Sequence, residues 1–215
     1  MLTLLLARHG QTDANADGRI QGRGLDLPLN AWGRAQAERL AAHLAPLPLD
    51  HVYTSSLLRT RQTAAPLLAC RPDLSATALA DLDEMDWGVY EGQTFTRDEG
   101  FYPRYVARWT AGETGLAVEG GESPDDVAVR VQRAVRQIHA ATPNGTVVAF
   151  VHGRLLRILI ASLVPDLGLA RMQEVPHANG SLSVLTLDGD PGAPVVTRES
   201  VNDTAHLDGL AGAAT

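Results

Sequence analysis

"TLLLARHG" at residues 3–10 and "TVVAFVHG" at residues 146–153 share one plan: an apolar run that stops at a His-Gly pair. Each run is apolar at nearly every position rather than every second one. That pattern fits a strand covered on both faces, as in a parallel sheet between helices. Four further stretches, "HVYT", "ATALA", "SLSVLTL" and "PVVTRES", read as short strands bounded by turn residues.

Helical stretches lie between them. "NAWGRAQAERLAAHLA" starts at Asn30, a capping residue, and "SPDDVAVRVQRAVRQIHAAT" has the clearest start signal, with Ser123 as cap, Pro124 in the first turn and Asp125 and Asp126 at the positive end. "SLLRTRQTAAPLLA", with Pro66 expected to kink it, and "GRLLRILIASL" complete the set. Alternation of strand and helix implies an α/β three-layer sandwich, with a mostly parallel sheet of about six strands and helices on both faces. Residues 94–121 break the pattern. Rich in Gly, aromatics and mixed charge, they read as a small cap-like excursion from a single domain spanning residues 1–215, and residues 208–215 read as a disordered tail.

Composition narrows the function. The chain has 215 residues and a formal charge of −7, a poor match to nucleic acid, whose phosphates need a basic surface. All 18 basic residues are Arg. The lone Cys70 excludes an internal disulfide and a Cys-based zinc site, and suits a reducing compartment. With no signal peptide and no apolar stretch long enough to span a bilayer, a cytoplasmic protein is expected.

In open α/β sheets, ligands bind beyond the carboxyl ends of the strands. Arg8 and His9 end the first strand here, and His152-Gly153 end the fourth. Arg59 sits in the first turn of the helix after the second strand, and Glu84 follows the third in "DLDEMDWGVYEG". Taken singly, each has an ordinary explanation: a core His, a solvated helix Arg, a surface carboxylate. His43, His51 and His139, which have no such setting, keep the structural reading. Agreement in position is what singles out the other five.

Together these residue types suit phosphoryl transfer. Two Arg can grip a dianion through paired hydrogen bonds. A neutral His is nucleophilic toward phosphorus, and a second, protonated His can neutralise the equatorial oxygens. A carboxylic acid can protonate a leaving alcohol. With Arg and His supplying positive charge, no metal or cofactor is required.

"ARHGQTDAN", "SSLLRTRQTA", "LDEMDWGVYEG", "VAFVHG", "GGES", "NGSLSVLTL" and "VNDTAHL" together resemble the histidine phosphatase superfamily, the phosphoglycerate mutase-like proteins, and its bacterial phosphatase branch. The likeness runs from Leu4 to Leu207 and fails mainly in the excursion. It implies that His9 is transiently phosphorylated, that Arg8, Arg59 and His152 hold the phosphoryl group, and that Glu84 donates the proton. It also implies phosphate contact by Asn15, a substrate border at Gln21 and Gly22, and close backbone approach at Gly153. The absence of Lys and the compact excursion favour a phosphatase of small phosphorylated metabolites, releasing inorganic phosphate. A phosphoglycerate mutase and an idle phosphate-binding regulatory module are the alternatives.

Overall fold

The computed structural model describes residues 1–210. Strand β1 (Leu2–Arg8) is followed by a one-turn helix α1 (Asp13–Ala16) and by α2 (Ala31–Leu44), β2 (His51–Thr54), α3 (Leu58–Cys70) and β3 (Ala76–Ala78). Then come α4 (Phe101–Thr110), α5 (Pro124–Ala141), β4 (Gly145–Val151), α6 (Gly153–Leu163), β5 (Leu182–Asp188) and β6 (Val195–Asp203).

The six strands form one sheet in the order β3-β2-β4-β1-β5-β6. β1, β2, β3 and β4 pair in parallel, while β5 runs antiparallel to both of its neighbours, so the sheet is mixed. The apolar runs of β1 and β4 feed two cores. Leu4, Leu6, Val147 and Ala149 pack with α5 and α6 on one face, and Leu5, Ala7, Val148 and Phe150 with α2 and α3 on the other. This division is why those strands carry no polar alternation.

Expected caps operate. Asn30 Oδ1 accepts from Gly33 N at 2.8 Å, and Ser123 forms a reciprocal capping box with Asp126 at the start of α5. Pro66 lies inside α3, which continues to Cys70. The excursion holds an element that the sequence reading left unassigned, α4. Its start is set by Gly100 at φ 87° and by Pro103 in its first turn, a position where the missing N–H has no helical partner to lose. Aromatic packing supports it: Trp109 is fully buried, Tyr90 stacks on Phe101 at 4.0 Å, and Trp87 on Tyr102 at 5.8 Å. The tail expected from residue 208 lies outside the described residues from 211 onward.

Candidate active site

In the parallel register of β1 and β4, Arg8 stands opposite Val151, so His9 and His152 leave adjacent strands at the same level. Their ring centroids are 5.2 Å apart, and both side chains are buried. His9 Nδ1 lies 2.7 Å from Gly10 O. A carbonyl only accepts, so Nδ1 carries the proton and Nε2 keeps its lone pair. Burial, followed by the charges of Arg59 and Arg8, holds the His9 pKa well below 6.5. The imidazole is therefore neutral near pH 7.

His152 differs from the protonated partner expected of the sequence. Arg59 Nε donates to His152 Nδ1 at 3.1 Å, which leaves that nitrogen no proton of its own. Nε2–H then donates to Ser55 Oγ at 2.7 Å, Ser55 to Thr60 Oγ1 at 2.9 Å, and Thr60 to Leu57 O at 2.8 Å. Burial first, then Arg59, His9 and Arg8, push the His152 pKa well below 6.5. In the free site His152 is neutral, because two guanidiniums already occupy this low-dielectric space.

Arg59 has none of the exposure expected of an isolated helix Arg; it is 0% exposed. Besides His152 it donates to Gly22 O at 3.1 Å, and Asp26 lies 3.7 Å from its Nη1. Arg8 donates Nη1–H to His177 O. Burial pushes the Arg8 guanidinium down to about 10, against the opposing pull of Glu84. A Cβ on Gly153 would come within 2.8 Å of His177 Cδ2 and 3.1 Å of Arg8 Cζ, so glycine is what lets Arg8 pass. A Cβ on Gly22 would strike the Glu91 carboxylate at 1.9 Å.

Glu84 reaches the first turn of α6. Oε2 accepts from Arg154 N at 3.0 Å, and Oε1 from Leu155 N at 2.8 Å and Met85 N at 2.9 Å. The flanking carboxylates point elsewhere: Asp83 takes Ser56 N–H and O–H, and Asp86 takes Gly88 N–H. Asn15 Oδ1 accepts from Thr12 N and Asn179 Nδ2, both at 3.1 Å, leaving Nδ2 to donate. Gln21 turns into the loop, accepting from Thr12 Oγ1 at 2.6 Å. The site thus brings Arg8, His9, Arg59, His152, Gly153 and Glu84 together directly, whereas Asn15 joins through Asn179 and Gln21 through Thr12.

The supports come from the remaining quoted motifs. Asn179 Nδ2 also donates to His9 O at 3.1 Å, and His206 of "VNDTAHL" bonds Gly180 O at 2.9 Å. Arg130 on α5 donates to the carbonyls of Asp81, Asp83 and Glu84 and pairs with Glu122 of "GGES" at 2.8 Å. That pair fixes the loop carrying Glu84. Burial alone would raise the Glu122 pKa, but bonds from Arg130 and Asp86 N–H lower it below 4.5. Its stabilisation is therefore complete above about pH 4.5 and is lost as pH falls through the depressed value. Arg130→Met leaves Glu122 buried without its partner and should cost about 3 kcal/mol at neutral pH, read from urea midpoints. A loss near zero would deny the pair this role.

The family model described as histidine phosphatase superfamily (branch 1) matches residues 4–199. The chain belongs to this superfamily. Phosphoglycerate mutase-like protein 4 of Arabidopsis thaliana is 31% identical over 95% of this chain and 86% of its own length. Phosphoserine phosphatase 1 of Hydrogenobacter thermophilus is 30% identical over 87% of this chain and 88% of its own. Among solved structures, mycobacterial glucosyl-3-phosphoglycerate phosphatase superposes with a TM-score of 0.83 at 29% identity, covering 94% of this chain and 99% of that one. Within the superfamily, histidine phosphatases and mutase-like proteins are both similar to this chain.

Proposed function

We propose that the chain is a phosphatase that hydrolyses small phosphomonoesters through a phosphohistidine on His9. The observation carrying this reading is the neutral His9, its Nδ1–H tied to Gly10 O and its Nε2 lone pair held beside the buried Arg59 guanidinium and the half-buried Arg8. Arg8 and Arg59 hold the phosphoryl oxygens, Gly153 lets the backbone approach closely, and Asn15 Nδ2 donates from the loop. Nε2 attacks phosphorus, the P–O bond to the alcohol breaks, and Glu84 gives the departing oxygen a proton. Water then attacks the phosphohistidine, Glu84 takes its proton, and inorganic phosphate leaves with His9 neutral again. His152, neutral in the free site with Nε2–H on Ser55 and Nδ1 on Arg59, orients the Arg59 guanidinium, and takes up a proton when the arriving dianion offsets the guanidinium charge.

Phosphatase relatives support hydrolysis, and mutase-like relatives keep a second reading in view. The two differ in the fate of the phosphoenzyme. In this chain the phosphoenzyme should lose its phosphate to water. Incubation with 3-phosphoglycerate should release free phosphate, with or without added bisphosphoglycerate, and form little 2-phosphoglycerate. Efficient interconversion with little phosphate released would make the mutase reading correct.

A further inference from the structure

Just ahead of β5 the chain returns to the site. Ala178 to Ser181 form a tight turn, closed by Ser181 N–H on Ala178 O at 3.2 Å, with Gly180 at φ 73°. This turn grips the backbone that carries the nucleophile. Arg8 N donates to Ser181 O at 3.0 Å, and Gly180 N–H is shared by Arg8 O and His9 O, both at 3.2 Å. Asn179 Nδ2 donates to His9 O and to Asn15 Oδ1, both at 3.1 Å. Where the turn sits, Arg8, His9 and Asn15 follow.

Three side chains hold the turn at three successive residues. Asn202 Oδ1 accepts from Ala178 N, Gln36 Nε2 donates to Asn179 O at 3.2 Å, and His206 Nε2–H donates to Gly180 O at 2.9 Å. Asn202 ends the chain's passage along β6, and His206 lies in the single turn Ala205–Leu207 that follows. The β5–β6 register slips between Leu182 and Leu185, and Asn202 stands at φ 61°, among the described residues the one position other than glycine with a positive φ. Such irregularities re-aim a side chain, here onto the turn. His206 is half-buried, with its ring stacked on His43 of α2 at 5.2 Å. A Cβ on Gly180 would meet Leu207 Cδ1 at 3.4 Å, so this last segment also packs directly on the turn.

We infer that Asn202 and His206 are positioning residues, which clamp the turn at residues 178–181 against Arg8 and His9 and so aim His9 Nε2 at phosphorus without touching the phosphate. The inference rests on the phosphatase reading. Attack by Nε2 tolerates little displacement, whereas guanidiniums on long side chains can follow a small backbone shift and keep their hold on the anion.

Three variants test it. His206→Phe keeps a ring against His43 but has no donor, and His206→Gln returns a donor near the Nε2 position. Asn202→Gly deletes the acceptor at a backbone angle that glycine adopts freely. Phosphoprotein formation at saturating substrate, followed by rapid quench, should slow about tenfold to a hundredfold in His206→Phe and Asn202→Gly, and His206→Gln should recover most of the loss. Inorganic phosphate should bind all three within about twofold of wild type, since the guanidiniums supply its affinity. Vanadate, which accepts the Nε2 lone pair as a fifth ligand, should weaken about tenfold in the two slow variants. Wild-type rates in both His206→Phe and Asn202→Gly, or parallel losses of phosphate and vanadate with no recovery in His206→Gln, overturn the clamp. Asn202→Gly decides alone if His206→Phe does not fold. If wild type forms no phosphoprotein while vanadate binding still weakens selectively, the phosphatase reading fails and the clamp stands.

Discussion

His9→Ala should lose turnover on every phosphomonoester, by about 10⁴–10⁶-fold, while phosphate still binds. The variant removes Nε2, the atom proposed to form the covalent bond. It leaves Arg8 anchored on His177 O and Arg59 on His152 and Gly22 O, contacts in which His9 takes no part. Phosphate affinity should therefore stay within about threefold, since charge-assisted contacts to two guanidiniums supply most of it. Rapid quenching of wild type should trap an acid-labile, base-stable phosphoprotein that His9→Ala never forms. The pH profile gives a second check. With the His9 pKa held well below 6.5 by burial, Arg59 and Arg8, the nucleophile is deprotonated throughout the neutral range. After correction for the substrate's own ionisation, the acid limb of kcat/KM should fall below pH 6.5. Residual turnover within tenfold of wild type, or a phosphoprotein surviving in His9→Ala, would remove His9 as nucleophile.

Much of this site could be read from the sequence because of where strands end. β1 and β4 announce themselves as apolar runs, and a parallel sheet delivers whatever follows them to one edge. His9 and His152 are therefore neighbours although they stand 143 positions apart in the chain. Arg59 and Glu84 followed from the same rule. What the sequence hid was the state of these groups. His152 was expected to be charged, yet its neutrality depends on Arg59 Nε, which local pattern does not reveal. The supporting residues were equally silent. Asn179, Ser55 and Arg130 act through side chain to backbone or side chain to side chain bonds spanning 46 to 170 residues, and no spacing rule links such partners. Helix α4 escaped for another reason. Its first turn contains Pro103 and its apolar residues are large aromatics, which taken alone favour turns or strands. Packing of those rings against Trp87 and Tyr90 stabilises the helix, and that packing is tertiary.

Glu84→Gln should slow alkyl phosphate hydrolysis by about 10²–10⁴-fold and aryl phosphate hydrolysis far less. An alkoxide leaving group needs a proton as the P–O bond breaks, whereas a nitrophenolate leaves without one. The structure supplies a competing role for the same side chain. Both Glu84 oxygens accept backbone N–H groups, two of them from the opening turn of α6, so the carboxylate also caps that helix beside His152. In the glutamine an NH₂ would face one of those N–H donors, or turn away from it. Either way a cap contact is lost, costing about 1–3 kcal/mol of stability. The two roles separate in the readout. A cap displaces Arg154, Leu155 and the His152 backbone whatever the leaving group, so it slows alkyl and aryl substrates by the same factor. An acid produces a ratio that grows as the leaving group becomes more basic. A series of phosphates spanning nitrophenol to simple alcohols, measured under single-turnover conditions so that chemistry limits, should steepen in its dependence on leaving-group pKa in Glu84→Gln. Parallel lines for wild type and variant, together with the loss of stability, would make Glu84 a positioning residue for α6 and leave the proton donor to another group.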